Sequence, residues 1–247
     1  MRRALVAALL TTPLLALVAV STPAPAEASH RPEPRQAPNH KVTRSTSTNW
    51  AGYAAAGRTF TSVSAAWTQP TATCTRQQTY ASFWVGLDGY TSSSVEQTGT
   101  DADCSASGVP SYYAWYEMYP KFPVNLSPAA YPVAPGDHLS ASVTFATRNS
   151  FTLRITDSTR GWSFTTHQKQ RASRSSAEVI AEAPSSTGGV LPLTDFGTAG
   201  FTGASANGQS LATFKPDRID MVSGGTTKAT TGALSSAGAF AVTWQHS

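Results

Sequence analysis

Along much of this chain apolar and polar residues change place at every step, as in His138–Ala146. There Leu139, Ala141, Val143 and Phe145 fall on one side and His138, Ser140, Ser142 and Thr144 on the other. That is the two-residue period of a strand with one face buried. Similar short runs predict strands over Ser62–Thr68, Tyr80–Leu87, Tyr112–Tyr119, Phe151–Asp157, Gly161–His167, Ala177–Glu182, Arg218–Val222 and Ala239–Gln245. Ser158, Thr159, Arg160 and Gly161 supply the turn of a predicted hairpin. No long stretch carries a helical period, and Ala177–Ala183 is too short and too closely followed by Pro184 to be read as a helix. Gly197–Ser210 reads as loop, and no internal repeat is visible. So many strands must close into a barrel or pack as two sheets to hide their apolar faces; an all-β sandwich is the expectation.

The first residues break this pattern. Met1, Arg2 and Arg3 lead into an apolar run, Ala4–Val20, interrupted by Thr11, Thr12 and Pro13, with small residues at Ala26 and Ala28. This predicts a secretory signal peptide over residues 1–28. The rival, a membrane anchor, meets an interrupted run near the lower length limit for a span. Residues 29–47 hold Pro32, Pro34 and Pro38 among polar and basic side chains and read as a disordered linker or a short pro-segment. Its Arg31, Arg35, Lys41 and Arg44 face one acid, Glu33, so it either docks on an acid-lined cleft until the carboxylates protonate or is a plain spacer. Residues 48–247 then form one β domain.

The net charge of +4 suggests nucleic acid until its location is traced. Beyond residue 47 there are twelve Lys and Arg against twelve Asp and Glu, scattered along the chain, so a nucleic-acid footprint is absent. Cys74 and Cys104 are the two cysteines, and an exported chain should pair them. The competing reading, a catalytic thiol, lacks a histidine near either one in sequence. The five histidines are dispersed and no His-Glu-x-x-His run or Cys/His cluster occurs, so no metal and no cofactor is expected. Gly-x-Ser-x-Gly elbows and phosphate-cradling Gly-x-x-x-x-Gly-Lys loops are also missing.

Candidate chemistry lies where acids share strand faces with aromatics. The two-residue rule groups Trp115, Glu117 and Tyr119, then Trp84, Gly86 and Asp88, then Glu178, Ile180 and Glu182. A carboxylate on a mostly apolar sheet is costly unless paired or solvated. Either these faces are a solvated outer surface, or they line a common cleft.

At these residues the chain resembles the glutamic peptidase family, the eqolisins, in a bacterial-type form. The matching segments run in the family's order: Ser47–Gly52, Trp84–Gly89, Glu96–Asp101, Ala114–Pro120 and Ala177–Glu182. The resemblance implies an antiparallel β-sandwich of two curved sheets, a concanavalin-like jelly roll, with the active site on the concave face. It places the catalytic glutamine at Gln97 and the catalytic glutamate at Glu182, and the cleft residues at Trp50, Trp84, Asp88, Asp101, Glu117, Tyr119 and Glu178. Val179 and Ala183 depart from the family pattern, the second as bacterial relatives often do.

Such a pair suits peptide hydrolysis in acid. A glutamate of modest pKa, still partly ionised in mildly acidic solution, takes a proton from water and returns it to the leaving nitrogen, while a glutamine amide, which does not titrate, donates to the oxyanion. The expectation is a secreted, monomeric endopeptidase acting on protein or peptide substrates, with no nucleic-acid partner and no membrane contact after signal removal. Two rivals remain: a secreted glycoside hydrolase working through Glu117 and Glu182, and a non-catalytic module stacking sugar or peptide on exposed Trp50, Trp84 and Trp115.

Overall fold

The computed structural model describes residues 46–247, so the expected signal peptide and most of the expected linker lie outside the described residues. Of the linker, Thr46–Ser47 is already a short strand, β1. There follow β2 (Trp50–Ala56), β3 (Ser62–Thr68), β4 (Ser82–Leu87), β5 (Val95–Cys104), β6 (Pro110–Tyr119) and β7 (Val124–Asn125). The middle of the chain supplies β8 (His138–Phe145), β9 (Ser150–Asp157), β10 (Trp162–Lys169), β11 (Ser176–Glu182), β12 (Ser185–Ser186) and β13 (Gly189–Val190). Last come β14 (Thr198–Ala206), β15 (Gln209–Ser210), β16 (Asp217–Ser223), β17 (Thr226–Thr231) and β18 (Phe240–Trp244). A single 3₁₀ turn, Leu211–Phe214, is the one helical element among the described residues.

The strands join in one hydrogen-bonded path, β10-β9-β8-β3-β14-β18-β17-β16-β2-β11-β4-β5-β6-β7, with β12 and β13 pairing apart. Pairing is antiparallel except between β1 and β16. The path doubles back so that β4 and β5 pack on β8 and β9. The expected pair of sheets is therefore present as two halves of one continuous ladder, joined through β16, β17 and β18. Phe83, Val85 and Leu87 of β4, with Val179 and Ala181 of β11, meet Val143, Leu153, Ile155 and Phe201 in the core between the halves.

The alternation over His138–Phe145 has the expected consequence, since Leu139, Ala141 and Val143 are buried while His138, Ser140 and Thr144 are exposed. The expected turn at Ser158–Gly161 joins β9 to β10. Gly197–Ser210, read as loop, is instead mostly strand β14, paired with β3 and β18. Gly200 and Gly203 thin its apolar signal, and the register breaks between Thr202 and Ser205, where Gly203 has φ +60°. β2, β5 and β17 also went unread. β2, Trp-Ala-Gly-Tyr-Ala-Ala-Ala, is buried on both faces and so lacks alternation, while β5 is polar in sequence yet wholly buried.

Cys74 and Cys104 form the expected disulfide, which ties the end of β5 to the segment before β4 across a separation of 30 residues. Replacing both cysteines by serine should lower unfolding free energy by about 3 to 4 kcal/mol in the chain-entropy account. Urea denaturation of the double variant beside the parent checks this, and a loss below about 1 kcal/mol would show that the crosslink does not limit the unfolded chain.

Candidate active site

Strand register fixes which side chains share the sheet face turned away from the inter-sheet core. One rung runs Ala54–Glu178–Gly86–Gln97–Glu117 across β2, β11, β4, β5 and β6. Two residues along, the next reads Gly52–Ile180–Trp84–Gly99–Trp115, and the third reads Trp50–Glu182–Ser82–Asp101–Tyr113. Two polar rungs thus flank an aromatic one. Trp50, Trp84, Trp115, Ile180 and Tyr113 pack as an apolar cluster of their own, separate from the main core.

Glycine makes room for this arrangement. A Cβ at Gly86 would lie 2.9 Å from Trp84 Cζ3 and 3.2 Å from Gln97 Cβ, and one at Gly99 would lie 2.6 Å from Trp84 Cβ. The Trp84 indole therefore reaches over Gly86 beside Gln97, while its Nε1 donates to Glu182 Oε2 at 2.8 Å.

Gln97 Nε2 donates to Glu117 Oε2 at 2.6 Å, while Gln97 Oε1 is buried without a hydrogen-bond partner. Glu182 Oε1 accepts from Asn49 Nδ2 at 3.1 Å, and Ser47 Oγ bonds Asn49 Oδ1. Asn49 thus reaches the site from the turn between β1 and β2, a role that motif reading had not assigned; its place inside the Ser47–Gly52 segment was the available signal. No hydrogen bond among those described joins Gln97 directly to Glu182.

Glu182 is fully buried. Its carboxyl holds its proton well above the usual range, chiefly through desolvation and then through the charge of Glu117; Trp84, Trp50 and Asn49 pull the other way by favouring the anion. Trp50 Nε1 itself makes no hydrogen bond of ordinary geometry. Glu178 is also raised, again by burial, then by Asp88 and Glu96. Ser176 and the Tyr90 backbone lie near enough to oppose the shift, yet neither Glu178 oxygen makes a regular hydrogen bond.

Other expected cleft residues divide. Asp101 accepts from Trp115 Nε1 at 2.5 Å and from Tyr113 Oη at 2.9 Å, and the same phenol lies 2.8 Å from Asp103. The single phenolic hydrogen thus faces two acids. Tyr119 lies at the end of β6, packed against the same aromatic cluster. Asp88 does not continue the Trp84 face: it lies past the end of β4 with φ 72°. It accepts from the backbone N–H of Arg174 at 2.6 Å and of Ser175 at 2.8 Å, pinning the segment that enters β11. Trp50, Trp84 and Trp115 are each 1 % exposed or less. They support the acids rather than forming the exposed stacking platform of the binding-module reading. The other half of the sandwich carries a separate groove of about 350 Å³ that includes Ser64, Ser140, Ser142 and Arg154. It holds no carboxylate and no histidine.

The Peptidase A4 family profile matches residues 48–244. The chain is 29% identical over 184 residues to aspergillopepsin-2 of Aspergillus niger, an alignment spanning 65% of this chain and 64% of that protein. Its fold resembles scytalido-glutamic peptidase bound to a transition-state analogue inhibitor, with TM-score 0.68 and 24% identity over 80% of this chain and 98% of that one. It also resembles aspergilloglutamic peptidase from Aspergillus niger, with TM-score 0.58 and 30% identity over 67% and 99% of the respective chains.

On the core side of β5, burial and the neighbouring Asp88 push the Glu96 carboxyl from 4.5 up to about 8. Gln170 Nε2 donates to Glu96 Oε1 at 2.8 Å and only partly offsets this. As pH rises past 4.5 the unfolded chain releases this proton first. Stability should therefore be full below about 4.5, decline up to about 8, and then level off. Urea unfolding from pH 4 to pH 9 should show that decline, and Glu96→Gln should flatten it; an unchanged slope in the variant would place the alkaline loss elsewhere.

Proposed function

Because the chain belongs to the Peptidase A4 family, the glutamic peptidases, we propose that it is an exported acid endopeptidase that hydrolyses peptide bonds with Gln97 and Glu182. The observation that carries this reading is the placement of an amide and a buried, donor-held carboxyl group on one face of one sheet, on the two polar rungs that flank the Trp84 rung. The Glu182 carboxylate takes a proton from the attacking water and returns it to the departing nitrogen. Its raised proton affinity makes it a stronger base when ionised but shrinks the ionised fraction in acid, so turnover should rise with pH, while Asn49 and Trp84 favour the anion and hold it in one orientation. Of the two Gln97 Nε2 hydrogens, Glu117 takes one, leaving the other for the oxyanion.

The named relatives are peptidases, and the similar solved structures include scytalido-glutamic peptidase with a peptide-based transition-state analogue and SCP-B, a member of the eqolisin family, with the tripeptide Ala-Ile-His. By extension, the substrates proposed here are proteins and peptides. Export is supported by the leader pattern and by the Cys74–Cys104 disulfide, which suits an oxidising compartment. Ala183 supports placing the chain among bacterial-type members, and action as a monomer completes the proposal.

Register favours a second assignment of the base. Glu178 shares the Gln97 rung with only Gly86 between them, and its carboxyl lacks a regular hydrogen bond. New amino termini released from denatured protein at acid pH separate the cases. Gln97→Ala should lower kcat by about 10²- to 10³-fold, the usual cost of a lost oxyanion donor. Glu182→Gln should lower it at least as far, while Glu178→Gln retains turnover. An active Glu182→Gln beside an inactive Glu178→Gln moves the base to Glu178; full activity in Gln97→Ala would sink the dyad.

A further inference from the structure

Resting on the dyad reading above, we propose that Glu117 is a positioning residue that fixes the Gln97 amide and links the amide to Glu182, rather than a subsite for substrate. Gln97 and Glu117 are directly opposed on β5 and β6, and the 2.6 Å bond from Nε2 to Oε2 leaves the amide one orientation. Reversing that amide would put Gln97 Oε1 against a carboxylate oxygen, acceptor against acceptor, so an ionised Glu117 selects the donor-forward form. In that form one Nε2 hydrogen is spent on Glu117, and Oε1, otherwise without a partner, is available to accept a hydrogen bond from water. Glu117 is fully buried, as are Gln97 and Glu182 to within 1 %. The triad therefore sits in a medium where a fixed charge acts strongly.

The second link is electrostatic. Around Glu182, β2 contributes Trp50 and β4 contributes Ser82 and Trp84, none of which titrates near neutrality. Glu178 lies on its own strand, Asp101 faces from β5, and Tyr113 and Glu117 face from β6. Of these groups Glu117 is the one whose charge adds to the proton affinity of Glu182. One carboxylate thus holds the donor in place and strengthens the base, without touching the scissile bond itself.

Glu117→Gln tests this, read as kcat and KM on a peptide substrate across the acid range, beside Glu117→Asp, Gln97→Ala and Glu182→Gln. With the negative charge gone, Glu182 should ionise more readily, so the rise of kcat with pH should shift to lower pH. The plateau should fall by about 10- to 100-fold, within the range for a misaligned catalytic group, and KM should change little. Glu117→Asp keeps the charge and should leave that limb near its wild-type position, though the shorter side chain lowers kcat. A residue that merely packs would change stability and leave the limb where it was. If Glu117→Gln does not fold, the side-chain ¹⁵N–H₂ resonances of Gln97 in the wild-type protein, assigned by their absence in Gln97→Ala, report the same coupling. They should shift with pH as the Glu117–Glu182 pair titrates. An unmoved limb in a folded Glu117→Gln, or Gln97 resonances insensitive to pH, overturns the proposal. If Gln97→Ala and Glu182→Gln are inactive while Glu117→Gln matches wild type, only the positioning role fails; if those two variants stay active, the dyad fails and this role with it.

Discussion

A carboxyl group taken out of water with no cation beside it stays ionised only where hydrogen-bond donors hold the anion, and otherwise keeps its proton; this constraint organises the whole domain. Nine Asp and Glu are buried among the described residues, and no Lys, Arg or His is. Seven of those acids, Asp88, Glu96, Asp101, Asp103, Glu117, Glu178 and Glu182, lie on or at the ends of four adjoining strands. The domain is formally near neutral, yet its negative charge is gathered into one sheet while its positive charge stays outside. The fold can tolerate this where protons are abundant. Burial accordingly raises the proton affinity of Glu96, Glu178 and Glu182, so these three side chains enter the fold most easily as neutral acids.

The sequence was legible where one face of a strand meets the core and the other meets solvent. The strand that begins at His138 showed this in simple alternation. It became illegible where both faces are buried, because then the code no longer alternates: the Trp50–Ala56 strand uses small residues on both sides. Val95–Cys104 was hidden for a different reason, since Glu96, Gln97, Thr98, Thr100, Asp101 and Asp103 read as surface residues although all are buried. Buried polar strands violate the rule by which strands are recognised, and here the violation coincides with the candidate site.

The two-residue rule also sorted the strand faces as the register has them wherever the backbone stayed extended. It put Glu178 with Glu182, and Trp115 with Glu117, as the register confirms. It failed at Asp88, where a positive φ turns the chain out of the strand and the carboxylate becomes a brace for the Arg174–Ser175 backbone. Periodicity carries no information past the last extended residue. Nor could it identify Asn49 as a partner of Glu182, because that contact joins residues 133 apart in sequence and depends on the turn after Ser47.

The same geometry bears on the carbohydrate-cleaving alternative. That chemistry asks Glu117 and Glu182 to act on opposite sides of a sugar, one as acid and the other as nucleophile or base, and asks nothing of a neutral amide. In this site Glu117 has one oxygen committed to the Gln97 amide at 2.6 Å, and both Glu182 oxygens are held by nitrogen donors, Asn49 and Trp84. An amide so tightly coupled to one acid has no part in glycoside cleavage, whereas oxyanion stabilisation requires a donor locked before the substrate arrives. Gln97 is the group that peptide hydrolysis explains and glycoside hydrolysis leaves idle, so the bond between Gln97 and Glu117 decides between the two chemistries more directly than the presence of two glutamates.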